Sequence, residues 1–120
     1  MKYLLTLFCI ISIFISCSTL KYVAPRPNPP SQTDEGVLFE YYAPSAKRIT
    51  IAGEFNNWEY GNSEKAILMK KNEQGLWKAV VPLNPGRYKY KFVIDDSKWE
   101  KNPYGDDAND PDNNSLIVVE

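Results

Sequence analysis

From residue 37 onward the chain keeps returning to a period of two, and that period limits what it can fold into. In residues 87–94, Tyr88, Tyr90, Phe92 and Ile94 fall on one side, and Arg87, Lys89, Lys91 and Val93 on the other. Such alternation belongs to a strand with one buried face, because successive side chains leave a pleated backbone in opposite directions. Shorter runs repeat the pattern at 37–42, 48–52, 66–70, 76–83 and 116–119. Between them lie turn formers, among them Asn72-Glu73-Gln74-Gly75 and Asn84-Pro85-Gly86. No stretch of this region shows a capped 3.6-residue period. About seven short strands in some 85 residues predict an all-β sandwich of two sheets.

The chain has 120 residues, enough for one domain, and 43% of them are hydrophobic, enough for a modest core. It has no histidine, which excludes imidazole-ligated zinc, Ser–His triads and imidazole general bases. A net charge of −1, with lysines interleaved among acids, gives no clustered basic surface for nucleic acid.

The N-terminus has a different texture. Met1-Lys2 precedes an apolar run from Tyr3 to Ile15, closed by Ser16-Cys17. That is the layout of a secretory signal, and the run is shorter than the roughly 20 residues a comfortable membrane span needs. An uncleaved helical anchor is the alternative. Phe14-Ile15-Ser16-Cys17 resembles a bacterial lipobox, which implies removal of residues 1–16 and a lipid on the Cys17 thiol. Phe14 and Ile15 differ from that family's commonest residues. The expected address is therefore the bacterial cell envelope, with the domain tethered to a membrane. Residues 17–36, with Pro25, Pro27, Pro29 and Pro30, read as an extended spacer. A proline-recognition ligand is the rival reading. The sandwich domain is expected over 37–120.

Three stretches, in order, carry a resemblance. The first is Ile51-Ala52-Gly53-Glu54-Phe55-Asn56-Asn57-Trp58. The second is Leu83-Asn84-Pro85-Gly86-Arg87-Tyr88-Lys89-Tyr90-Lys91-Phe92-Val93-Ile94-Asp95. The third is Trp99 with Asn102-Pro103 behind it, then Asn113-Asn114. Together they resemble the glycogen-binding domain of the AMP-activated protein kinase β-subunit and its relatives in carbohydrate-binding module family 48. The resemblance implies an early-set immunoglobulin-like sandwich and a non-catalytic α-glucan site. It places two tryptophan platforms on Trp58 and Trp99, a hydroxyl-binding lysine on Lys91, and a hydrogen-bonding asparagine on Asn113, with Asn114 as the alternative. The loop 104–112 is rich in aspartate where glucan-binding members carry an apolar residue and a threonine. No cofactor is implied, and a glucan-processing enzyme is a possible partner.

The residue types suit the task. An indole face accepts the C–H face of a glucose ring, an ammonium donates to hydroxyls, and an amide both donates and accepts. Each also has an ordinary reading: a tryptophan in a small sandwich usually packs the core, a lysine solvates a face, and an asparagine caps a turn. Trp77, on an alternating run, is expected to be core. The acids of 106–112 lack the glycine and glutamate spacing of an EF-hand and read as a solvated loop. The competing function is an envelope scaffold that keeps the fold without binding glucan. An enzyme is disfavoured, because glycosidic cleavage needs two carboxylates facing each other across a cleft.

Overall fold

A computed structural model describes residues 23–120. The expected signal 1–16, Cys17 and the first spacer residues lie outside the described residues. Ten strands follow in chain order: β1 (Ser31–Thr33), β2 (Gly36–Tyr42), β3 (Ile49–Gly53), β4 (Ile67–Leu68), β5 (Lys70–Lys71), β6 (Leu76–Val81), β7 (Gly86–Ile94), β8 (Lys98–Glu100), β9 (Asp106–Asp107) and β10 (Ser115–Val119). One 3-10 turn, Glu54–Asn56, follows β3. The smaller sheet runs β1-β2-β6-β5, and the larger runs β4-β3-β7-β10-β9 with β8 also on β7. All pairings are antiparallel. This is the expected two-sheet sandwich, and seven of its strands have three residues or more.

Two expectations about boundaries change. Residues 31–33, assigned to the spacer, pair with β2 in the register Ser31↔Leu38. Just before them Pro27 is buried, and the Arg26 guanidinium lies 5.0 Å from the centre of the Tyr104 ring. The second change concerns 66–70, which is not one strand. Ile67–Leu68 pairs with β3 in one sheet, Lys70–Lys71 pairs with β6 in the other, and buried Met69 marks the crossing. A weak alternation of only five residues carries no sign of a change of sheet.

The core lies between the inner faces. Val37, Phe39, Trp77 and Val81 come from the smaller sheet, and Ile49, Ile51, Tyr90, Phe92, Ile117 and Val119 from the larger. Burying each large side chain contributes roughly 1.5–3 kcal/mol. The rings pack edge to face, Phe39 against Tyr90 at 5.0 Å and Tyr90 against Phe92 at 5.9 Å. Trp77 is core as expected, 5% exposed, with its indole N–H donated to the Ala43 carbonyl at 2.8 Å. The alternation of β7 also holds, with Tyr90 and Phe92 fully buried inside.

Tyr90 carries a hydroxyl into this core. It accepts a hydrogen bond from Asn102 Nδ2 at 2.9 Å. Burial pushes its pKa up to about 12, above the usual value of 10.0. Because the folded state holds this proton more tightly than the unfolded chain, the contribution is complete below pH 10 and lost as pH rises toward 12. Stability should therefore fall by about 1.4 kcal/mol per pH unit across that window. Tyr90→Phe should be less stable at neutral pH, since Asn102 loses its acceptor, yet lack this alkaline slope. Thermal melts of both proteins from pH 8 to pH 12 check this.

Candidate functional site

β7 has two working edges. β3 takes Gly53↔Tyr90 through Ile49↔Ile94 on one edge. On the other, β10 pairs with Gly86 to Tyr90 and β8 with Phe92 to Ile94, so the two lie end to end. This arrangement sets Trp99 of β8 directly beside Val93, one pleat from Lys91, on the outer face of the larger sheet. Thr50, Ala52 and Val93 share that outer face yet are fully buried. The covering chain brings the site together.

Trp58 arrives from the segment between β3 and β4, and the motif residues explain its placement. A Cβ on Gly53 would sit 2.7 Å from the Lys89 carbonyl oxygen and 2.8 Å from the Phe55 ring, so the close approach of β3 to β7 requires glycine here. Asn56 is buried and acts as a knot. Its Oδ1 accepts from the Gly53 N–H at 2.9 Å, and its Nδ2 donates to the carbonyls of Ile51, Glu59 and Lys65 at 3.2, 3.1 and 2.9 Å. One amide thus ties the end of β3 to the excursion that follows it, meeting backbone groups spread over fifteen residues (51–65). Asn57 and Trp58 then take left-handed backbone angles, φ 55° and 60°. The Trp58 N–H donates to the Gly53 carbonyl at 2.9 Å. For a tryptophan this conformation is costly, and the Asn56 bonds hold it.

An open depression of about 360 Å³ is lined by Trp58, Lys91, Trp99, Asp112 and Asn114. Trp58 is half-buried and Trp99 is 38% exposed. Lys91 Nζ donates to the Asp112 carbonyl oxygen at 2.5 Å, which fixes the ammonium against the loop before β10. Of the expected site residues, the structure brings Trp58, Lys91, Trp99 and Asn114 to one place. Asn113 stands outside the lining, exposed, with φ 58° and its Oδ1 accepting from Lys101 Nζ at 3.1 Å. Asp112 lines the depression and was not foreseen; its place in an acidic run hid it. Tyr60 was also missed, and its ring centre lies 4.9 Å from that of Trp99. Its position two residues after Trp58 was the available clue.

Two acids of the loop go to separate pairings. Asp107 takes the Lys101 ammonium and the Asn109 N–H. Asp110 accepts from the Asn114 backbone N–H and side-chain Nδ2, both at 3.0 Å, and from Lys89 Nζ at 3.0 Å. These bonds, the Asn114 backbone N–H foremost, hold its pKa down at about 2, below the ordinary 3.8. Asp110 therefore seats Asn114, and through it the floor of the depression.

The structure is an immunoglobulin-like sandwich with two indoles, an ammonium and an amide gathered around one depression on the outer side of the larger sheet. The chain belongs to carbohydrate-binding module family 48 (isoamylase N-terminal domain), whose model matches residues 27–105. That match begins ahead of β1, in keeping with the buried Pro27. The chain is 36% identical over 72 residues to a 1,4-alpha-glucan branching enzyme, GlgB 2, of Clostridium perfringens, covering 60% of this chain and 11% of the enzyme. It is 30% identical over 90 residues to the branching enzyme GlgB of Marinobacter nauticus, covering 72% and 14%. The chain thus spans only a small fraction of these relatives' length. A putative alpha amylase from Salmonella typhimurium shares the fold, with TM-score 0.58 and 19% identity over 77% of this chain and 15% of that one.

The Asp110 bonds carry a sign with pH. A depressed folded pKa means the contribution is present above about pH 4 and lost as pH falls toward 2. Asp110→Ala should lower the melting temperature at pH 6, and the gap to the natural protein should close between pH 4 and pH 2. Melts across that range decide it.

Proposed function

We propose that this protein is a non-catalytic α-glucan-binding lipoprotein, taking glycogen- or starch-like chains on the face formed by Trp58, Lys91, Trp99 and Asn114. The observation that carries the reading is the depression lined by both indoles and the Lys91 ammonium. Sugar rings would stack on the indoles, while Lys91 donates to equatorial hydroxyls and Asn114 Oδ1 accepts from one, its Nδ2 being held by Asp110. Membership of a carbohydrate-binding family and likeness to 1,4-alpha-glucan branching enzymes favour a glucan over other sugars. A glucan-processing enzyme is then the natural partner. Two stacks on an open face support a dissociation constant of roughly micromolar to millimolar.

Titration of the full chain in detergent with maltoheptaose, followed by tryptophan fluorescence, tests the site. Trp58→Ala and Trp99→Ala should each weaken binding by roughly 1–3 kcal/mol, as central aromatic contacts do. Unchanged affinity in both variants would reject it, and no binding by the natural protein would favour the scaffold alternative.

The anchor rests on residues 1–17. Cys17 is the lipid acceptor in this reading, and two or three acyl chains hold a membrane where one is marginal. Expressed in a bacterial host, Cys17→Ser should lose incorporation of labelled palmitate and leave the lipid-modified fraction. Equal labelling of the variant would sink the anchor and leave the glucan site untouched.

A further inference from the structure

Trp58 and Trp99 come from different excursions, and nothing in either strand ladder fixes one indole relative to the other. β8 has only three residues and follows a turn in which Asp95 and Asp96 both take left-handed angles, φ 51° and 57°. Trp99 therefore stands near the tip of a short hairpin, in register with Val93. Two contacts join this tip to the 54–66 excursion. The Tyr60 ring lies 4.9 Å from Trp99 with an interplanar angle of 74°, an edge-to-face arrangement. Arg48 makes the second contact. Its guanidinium donates to the Gly61 carbonyl and to Asn62 Oδ1 at 2.9 Å, while its Nε lies 3.6 Å from Asp96 Oδ1. Arg48 itself is fixed, because Asp95 Oδ1 accepts from the N–H groups of Lys47 and Arg48 at 2.8 and 3.0 Å.

We propose that Tyr60, held in place by the Arg48 clamp, is a positioning residue that sets the orientation of the Trp99 indole toward Trp58. The proposal rests on the glucan reading of the site and deepens it. Tyr60 is 41% exposed, so it contributes little to the core, and its ring contact is with Trp99. An indole free to rotate about its side-chain torsions must be ordered by the ligand, and that entropy subtracts from affinity. A neighbouring ring at right angles removes the freedom beforehand. The hydroxyl is not required for this, so phenylalanine should serve as well as tyrosine.

The test is a double-mutant cycle on the full chain with maltoheptaose. Tyr60→Ala should weaken binding about 3- to 10-fold, and Tyr60→Phe should stay near the natural value. In a Trp99→Ala background, Tyr60→Ala should have no further effect. Without ligand, Tyr60→Ala should raise acrylamide quenching of tryptophan fluorescence, and that rise should vanish in the Trp99→Ala background. Loss of the same factor in both backgrounds, or no loss at all, overturns the proposal while leaving the glucan reading intact. Failure of the natural protein to bind maltoheptaose overturns both.

Discussion

β7 serves two surfaces with one backbone, and the rest of the molecule is arranged around that constraint. Its inward side chains, Tyr90 and Phe92, fill the middle of the core. Its outward ones, Lys91 and Val93, face the depression and the tryptophan beside it. A period of two cannot be shifted by one residue without exchanging these sets, which would bury an ammonium and expose two large rings. The core thus fixes the register of the site. Pairing on both edges of β7, with β3 on one and β10 followed by β8 on the other, makes slippage more costly still.

The segments that complete the site lie outside the ladders, so their backbone groups need other partners. Single polar side chains supply them. Asn56 gathers the 54–66 excursion, Asp95 and Arg48 fasten the turn after β7, and Asp110 seats Asn114. Each spends one side chain's freedom to order several residues, a favourable exchange where loop entropy would otherwise dominate. The same logic explains the left-handed angles at Asn57, Trp58, Asp95, Asp96 and Asn113. Strain is tolerated where neighbouring bonds over-determine the conformation.

Much of this was legible in the sequence, for reasons that can be named. Strands whose sequence alternates cleanly, such as β7 and β3, announce themselves, and Trp77 on such a strand reads correctly as core. The glycine and asparagine before Trp58 belong to a motif whose physical need is local: close approach at Gly53 and backbone satisfaction by Asn56. What could not be read depends on long-range placement. Ser31–Thr33 look like spacer because an edge strand exposed on all three residues has nothing apolar to reveal it. The run 66–70 hides a change of sheet because two-residue strands carry no period. Asn113 and Asn114 are chemically identical in the sequence, and the left-handed angle at Asn113 separates them, placing Asn114 in the lining. Tyr60 and Asp112 matter through contacts with residues far along the chain, which local pattern does not encode.

An open face suits a polymer better than a small sugar. A site of this kind encloses little of its ligand, so each contact is modest and much of the free energy goes to ordering. In the proposed reading long repeating chains would compensate, because a dissociated ring finds its neighbour before it diffuses away, and several tethered copies would engage one polymer at high effective concentration. Preorganisation then matters more than the number of contacts. For that reason the polar knots at Asn56, Arg48 and Asp110, none of which lines the depression, would belong to the proposed binding design as much as the indoles do.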